Sequence, residues 1–237
     1  MDRMDEAIFE FAYIMAMRDA TQQRAFLATN KKLFWQAHSD KGKESRLQQL
    51  REGIKNPLRN YIDKILDNDV EVKELPDFYK VAYEIQRATN EFVKEADMKL
   101  PPKEGEQADE KLAVFSFGNT QKLINMTAKY MFMATYGRPD LRERFDQCHC
   151  PMDGIIVEKI IKMLDGREDI RKKCGLTGGW KTKLRTPTWS NIKEPDEGYE
   201  QFQEIVDSLG RDPAIIKELG ATKPLYPLEF DFYAWGQ

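Results

Sequence analysis

Residues 112–164 read LAVFSFGNTQKLINMTAKYMFMATYGRPDLRERFDQCHCPMDGIIVEKIIKML, and this stretch decides the fold. It contains a nearly continuous apolar segment, two of the three cysteines of the chain and one of its two histidines. A helix that is apolar on almost every side is buried among other helices. The stretch therefore predicts a mainly α fold, a multi-helix bundle built around a central helix at 119–136.

The predicted central helix has few polar residues, and these residues are aligned. Lys122, Asn125 and Lys129 follow one another at helical spacing, and Gln121 stands beside Asn125. A polar group on a buried helix must be hydrogen-bonded or face a water-filled groove. Two interpretations follow. The stripe is the wall of a site, or it is the one edge of the helix that meets solvent.

The rest of the chain divides around this stretch. Residues 1–96 have helical periodicity and predict an N-terminal helical region, and Asn56-Pro57 predicts a break between helices at 44–54 and 57–67. Residues 97–110 hold two prolines and many charges, which predicts a linker. Residues 111–237 form the central helical core with an irregular C-terminal region, unless the whole chain is one domain. Alternation in PLYPLEFDFYAWGQ at 224–237 predicts a short extended C-terminal tail.

Composition excludes several classes of protein. The 37 basic and 40 acidic residues nearly cancel, to a net charge of −3, so no global basic field indicates nucleic acid. No stretch approaches ~18 uninterrupted apolar residues, so we expect no membrane partner. The acids near the N-terminus are untypical of a secretory signal. An odd count of three cysteines favours a reduced, cytoplasmic setting.

Three interpretations compete for the junction at Cys148-His149-Cys150. Zinc sites prefer two cysteines separated by two to four residues, and this pair is closer, so we expect no metal and no cofactor. A structural interpretation has His149 and Asp153 hydrogen-bonded to each other or to the nearby backbone. The third interpretation is catalytic and pairs His149 with Arg144, four intervening residues away.

The Arg144-x4-His149 spacing resembles the R-x4-6-H motif of HEPN-type ribonucleases, which are all-helical proteins of bacterial toxin and antiviral systems. Arg142 satisfies the longer spacing, so both arginines stay candidates. The resemblance implies a metal-independent endoribonuclease that acts as a toxin or antiviral defence effector on RNA, with two motifs meeting across a homodimer. It implies that His149 moves protons at the ribose 2′-hydroxyl and that Arg144 stabilises the phosphate.

A longer set of residues is similar to sequence blocks in uncharacterised bacterial helical proteins. The set is Gly118-x-x-Gln121-Lys122-x-x-Asn125, then Lys129-Tyr130, then His149-x-Pro151-x-Asp153. No activity comes with this likeness. It directs attention to one cleft around His149, with these predicted substrate-binding residues: Gln121, Lys122, Asn125, Lys129 and Asp153.

Two other classes of function compete with the enzyme. One is a non-enzymatic helical protein that acts as an interaction or regulatory partner in a bacterial defence system. The other is a nucleic-acid-binding module, since aromatic rings stack on bases while cations hold phosphates. The residues for that module would be Trp180, Lys181, Lys183, Arg185 and Trp189.

Overall fold

The computed structural model describes residues 3–20, 41–67, 69–71, 74–75, 77–95 and 115–236. Within these ranges the chain forms helices, turns and loops without a strand, which confirms the predicted mainly α, multi-helix fold. None of the helices in these ranges combines the length and apolar content needed to cross a membrane. The chain divides into two compact units, Met1–Phe115 and Ser116–Gln237. The predicted linker at 97–110 lies outside the described residues.

The first unit is a small helical assembly with an apolar core. Arg59 pairs with Glu6, and its guanidinium lies 4.4 Å from the centre of the Phe9 ring. Asp77 accepts the amide of Tyr79 at 2.8 Å and caps the helix that begins at Phe78. The described helices of this unit are α1 (Arg3–Ala20), α2 (Lys41–Leu66) and α3 (Phe78–Glu95).

Pro57 lies inside α2, which runs without a break through the predicted boundary at Asn56. The predicted split into two helices is therefore wrong. Proline removes one backbone donor and strains the preceding turn. Here the helix is held on both sides of the proline by the fully buried side chains of Ile54, Leu58 and Ile62. Burial of that face outweighs the local cost.

The second unit carries the candidate site, and all its helices except the 18-residue Phe117–Ala134 have 12 residues or fewer. Two stretches of 3-10 helix lie between them, at Glu143–Gln147 and at Trp189–Asn191. The α-helices are α4 (Phe117–Ala134), α5 (Pro139–Arg142), α6 (Gly154–Leu164), α7 (Glu168–Lys173), α8 (Trp180–Arg185), α9 (Tyr199–Gly210), α10 (Pro213–Glu218) and α11 (Pro227–Trp235).

The central helix α4 is mostly buried, as predicted, but it begins earlier than Asn119. Ser116 is its N-cap, with Oγ accepting the amide of Asn119 at 3.1 Å. The Asn119 side chain accepts the amide of Ser116 in return, at 3.3 Å. This reciprocal pair is a capping box in which asparagine takes the place usually held by glutamate or glutamine.

Gly118, in the first turn of α4, lets another segment lie directly on the helix. A Cβ atom at this position would stand 1.7 Å from the carbonyl oxygen of Trp189. The amide of Gly118 donates to the carbonyl of Ile192 at 3.0 Å. The segment from Trp189 to Ile192 therefore packs against the start of α4 at backbone distance, which only glycine permits.

The predicted extended C-terminal tail is wrong, because residues Pro227–Trp235 form the helix α11. Pro227 occupies the first helical position, and the amide of Tyr226 donates to Glu229 at 3.4 Å. Both features are helix-start signals. The period-2 pattern misleads because this short helix carries large side chains on all its sides, and its buried residues are Leu228, Phe230, Asp231 and Ala234.

Candidate functional site

The polar stripe of α4 faces the interior of the second unit. Gln121, Lys122 and Asn125 are 0%, 6% and 1% exposed, and Lys129 is half-buried. The stripe is therefore not a solvent-facing edge. A buried polar group costs free energy unless it is hydrogen-bonded, so each of these side chains must have a partner.

Gln121 ties α4 to the loop that precedes α6. Its Nε2 donates to the carbonyl of Met152 at 2.9 Å, and its Oε1 accepts the amide of Met152 at 3.2 Å. The same oxygen accepts a hydrogen bond from Asn125 Nδ2 at 3.1 Å. The side-chain amide of Gln121 thus bonds both the N–H and the C=O of Met152, which fixes the orientation of the Gln121 side chain.

The Tyr199 hydroxyl joins Asn125 to His149. Tyr199 is fully buried at the start of α9, where its ring packs edge-on against Phe117 at 5.2 Å. Its oxygen accepts Asn125 Nδ2 at 2.9 Å and lies 2.9 Å from Nδ1 of His149. The imidazole is half-buried. One ring nitrogen is thereby held by a rigid, buried partner, and such a contact sets the orientation of the ring.

The backbone beside His149 is also clamped. Gln203, one turn along α9 from Tyr199, accepts the amide of Cys150 at 3.1 Å and donates to its carbonyl at 2.8 Å. Two side chains of α9 therefore fix the junction, Tyr199 through the imidazole of His149 and Gln203 through the backbone N–H and C=O of Cys150.

Lys122 and Asp153 form a buried ion pair, with Nζ and Oδ2 2.5 Å apart. The other carboxylate oxygen caps α6 and accepts the amides of Ile155 and Ile156, both at 2.9 Å. The structure thus pairs Asp153 with Lys122 and pairs His149 with Tyr199. The backbone contacts of Asp153 agree with the structural interpretation and fix the entry to α6, whereas His149 is bonded to Tyr199 of α9.

Lys129 and Asp231 form a second ion pair, between α4 and α11. Asp231 is 1% exposed, and burial raises the pKa of its carboxyl while the nearby ammonium of Lys129 lowers it. The Lys129 ammonium also lies 4.9 Å from the Phe232 ring and 5.4 Å from the Trp235 ring. Lys122 and Lys129 are seven residues apart, so the two ion pairs lie on one face of α4.

The charged groups of both ion pairs affect the pKa of the Cys150 thiol. It is fully buried, and burial raises the pKa of its thiol well above the ordinary value. Asp231 and Asp153 act in the same direction, whereas the two lysines oppose them. The thiol is therefore protonated and is not a nucleophile in the folded state.

Arg144, the predicted partner of His149, is half-buried in the 3-10 helix Glu143–Gln147. That short helix is anchored by Phe145, which is buried and packs edge-on against Phe132 of α4 at 5.8 Å. Arg144 and His149 thus flank a turn that is anchored on α4 at one end and on α9 at the other. Their catalytic roles stay predictions.

The described residues also bear on the metal-binding and nucleic-acid-binding interpretations. Among the described residues no group of three His, Cys, Asp or Glu side chains is placed to hold a metal ion, and all three cysteines are free thiols. In the basic patch at 180–189, Lys181 pairs with Asp165 at 3.0 Å and Arg185 grips Glu158 at 2.6 Å. These carboxylates offset most of the positive charge that a nucleic-acid surface would need.

Sequence reasoning missed the partners that complete the network. Tyr199 stands in the sequence as one more apolar position of a helix, and it lies 74 residues from Asn125. Asp231 lies in the segment predicted to be extended, and Gln203 is an ordinary polar residue of α9. Only the predicted burial of α4 pointed to them, because buried polar groups require partners somewhere in the fold.

Comparison of the chain with protein-family models, with curated proteins and with solved structures gave no match. Its function must therefore be argued from the geometry of the site.

Proposed function

We propose that this chain is a metal-independent endoribonuclease of a bacterial toxin or antiviral system, with His149 and Arg144 as its catalytic residues. The observation that carries the proposal is the contact between His149 Nδ1 and the buried Tyr199 hydroxyl at 2.9 Å. A general base needs a second group that fixes its ring and its tautomer. Tyr199 is such a group, and Asn125 holds it in turn.

In the proposed reaction, Nδ1–H of His149 donates to the Tyr199 oxygen, so Nε2 carries the lone pair. Nε2 takes the proton of a ribose 2′-hydroxyl, and the 2′-oxygen attacks the neighbouring phosphorus. The bond from phosphorus to the 5′-oxygen breaks, and that oxygen receives a proton from water or from the imidazolium. The products are a 2′,3′-cyclic phosphate and a free 5′-hydroxyl.

Arg144 stabilises the charge that builds up on the phosphate oxygens. A guanidinium is planar and always protonated, and its parallel N–H donors match two phosphate oxygens. The position of Arg144 on a short helix anchored by Phe145 supports this role, because catalytic donors act best from a fixed frame.

The residues of α4 support His149 without touching the substrate in this proposal. Gln121, Lys122 and Asn125 are buried, and Asp153 is engaged by Lys122 and by two amides. They are positioning residues, which fix the loop before α6, the α6 entry and the Tyr199 hydroxyl. Lys129, half-buried beside Asp231, has the most accessible of the α4 stripe side chains.

The test is cleavage of a labelled single-stranded RNA by the purified full chain with a chelator present. We expect wild type to cut and His149→Ala and Arg144→Ala to lose about 100-fold or more in rate. An oligonucleotide with deoxyribose at the cut position should stay intact. His38→Ala, at the only other histidine, and Arg138→Ala, an exposed arginine of the same segment, are matched controls.

Thermal melts of every variant separate catalysis from folding. Loss of the His149 ring removes one hydrogen bond to a buried hydroxyl, which should cost about 1 kcal/mol of unfolding free energy. RNA left intact by wild type, or cut equally well by folded His149→Ala, would overturn the proposal.

A further inference from the structure

A half-open cavity of about 450 Å³ lies where the C-terminal end of α4 meets α11. This volume is within the range of small-ligand sites, roughly 300–1,000 Å³. The cavity is lined by Phe132, Met133, Tyr136, Arg142, Glu229, Phe232 and Tyr233.

The lining exposes large apolar and aromatic side chains. Tyr136 is 87% exposed, Met133 55% and Tyr233 39%. Phe132 and Phe232 form the floor, with ring centres 5.3 Å apart and planes inclined by 32°. Clustered apolar exposure around a concave surface marks a place where another molecule binds.

Arg142 places a positive charge on the wall of this cavity. Its guanidinium lies 4.4 Å from the centre of the Phe132 ring. Within the described ranges no carboxylate pairs with it, whereas the acidic lining residue Glu229 is paired with Lys223 at 3.2 Å. The cavity therefore offers flat aromatic faces together with one uncompensated cation.

A nucleotide fits this combination of groups better than a peptide does. A base stacks on aromatic rings whatever its sequence, and an arginine holds the attached phosphate. An apolar peptide side chain would leave the guanidinium without a partner, and an acidic side chain would leave four aromatic rings unused.

The cavity lies beside the proposed catalytic arginine. Arg142 and Arg144 are two residues apart, which limits their Cα separation to about 7 Å. Phe132, on the cavity floor, also contacts Phe145, the neighbour of Arg144. A strand of RNA that enters the cavity therefore passes close to Arg144.

We infer that this cavity binds one unpaired nucleotide of the RNA, with the base between Tyr136, Tyr233 and Phe232 and the phosphate on Arg142. The inference rests on the proposed ribonuclease function and names the feature of the substrate that the enzyme recognises. It also gives each arginine of the motif its own role: Arg144 binds the scissile phosphate, and Arg142 binds the phosphate of the neighbouring nucleotide.

The test measures binding of AMP, adenosine and inorganic phosphate to the full chain by titration calorimetry. AMP contains no phosphodiester to cleave, so this assay does not depend on catalysis. We expect AMP to bind, adenosine to bind more weakly and phosphate alone to give no detectable binding. Tyr136→Ala and Arg142→Gln should each weaken AMP binding roughly tenfold. Tyr83→Ala and Arg138→Gln, at an exposed tyrosine and an exposed arginine outside the cavity, should leave it unchanged.

Each outcome separates this inference from the proposed function. AMP binding that depends on Tyr136 and Arg142, in a protein that cuts no RNA, supports the nucleotide site and overturns the ribonuclease. RNA cleavage that is unchanged in both variants overturns the site and leaves the ribonuclease. The nucleotide site would be overturned if AMP did not bind, or if phosphate bound as tightly as AMP. It would also be overturned if wild type bound no AMP and the two variants lost self-association, because the cavity would then be a contact between two copies of the chain.

Discussion

The two ends of α4 reverse the usual rule of polar outside and apolar inside. At the N-terminal end Gln121, Lys122 and Asn125 are buried, while past the C-terminal end Tyr136 is almost fully exposed, close to exposed Met133. Burying polar groups costs free energy unless geometry satisfies them, and here every one of the three is satisfied. The N-terminal end therefore holds the fold and the His149 junction in place.

The C-terminal end of α4 has the opposite character. Its exposed side chains contribute little to packing, so folding does not explain them. They surround the 450 Å³ cavity instead. The comparison teaches that the buried end should be sensitive to small chemical changes, whereas the exposed end should tolerate large ones.

The largest expected effect comes from breaking the buried ion pair. Lys122→Met leaves the Asp153 carboxylate buried with no cation, which should cost ~3–5 kcal/mol of unfolding free energy. Lys122→Met combined with Asp153→Asn should regain part of this loss, because asparagine can still cap α6 and carries no charge. Urea unfolding of the full chain measures both. A Lys122→Met variant as stable as wild type would contradict the distinction between the buried and the exposed end of α4.

A smaller loss is expected from Tyr199→Phe, which removes one oxygen and keeps the ring. Asn125 and His149 lose their shared partner inside the fold, at a cost of ~1–3 kcal/mol. The imidazole also loses the group that orients it, so RNA cleavage should fall more than stability does. Tyr233→Phe, at an exposed tyrosine, is the matched control and should match wild type in stability. Equal behaviour of the two variants would show that the Tyr199 hydroxyl does not hold the site.

Asp146 should give an effect of intermediate size on the unfolding free energy. It is half-buried in the 3-10 helix that also contains Arg144. Burial first, and then the negative charge of Glu229, raise its pKa to about 6 from 3.8, against the effect of Lys223. Because its pKa is higher in the folded state, the folded chain binds the proton more tightly than the unfolded chain does. Stability therefore falls as the pH rises from about 4 to about 6.

Asp146→Asn removes this dependence on pH. Since the group is partly exposed, solvent screening reduces the effect, and we expect a gain of at most about 1 kcal/mol above pH 7. Near pH 4 the variant and wild type should have equal stability. Unfolding free energies across this pH range test the sign, with exposed Asp140→Asn as the control. A variant that is less stable than wild type above pH 7 would contradict the prediction.

The smallest effect should come from the exposed end of α4. Met133→Ser and Tyr136→Ser should each change the unfolding free energy by less than about 0.5 kcal/mol, because neither side chain is packed on all sides. Thermal melts are sufficient to check this. A loss as large as that of Tyr199→Phe would mean that the cavity wall is part of the core and is not a binding surface.

Sequence reasoning located the parts of the site but not their connections. The burial of α4 follows from its near-continuous apolar surface. The partners of the α4 side chains do not follow from the sequence, because Tyr199 and Asp231 lie 74 residues or more along the chain from the residues that they contact. The sequence predicts that His149 and Asp153 bond each other or the nearby backbone, and Asp153 does accept two backbone amides, but its ion pair with Lys122 does not follow from the sequence.

The errors in secondary structure have the same origin. Pro57 was assigned to a boundary by its local preference, and packing of the surrounding helix overrode that preference. The extended tail is predicted from a two-residue alternation. A nine-residue helix with large side chains on every side does not display the 3.6-residue periodicity that would have indicated a helix. The local signal that indicates this helix is Pro227 at its first position.

The position of Cys150 provides a kinetic probe of the site. Its thiol is buried between the two ion pairs and protonated, so a thiol-specific reagent can modify it only after the structure opens locally. The modification rate therefore reports how often the core around the two ion pairs opens, in a chain that needs no added label. A ligand that binds only the closed form would slow that reaction in proportion to its occupancy.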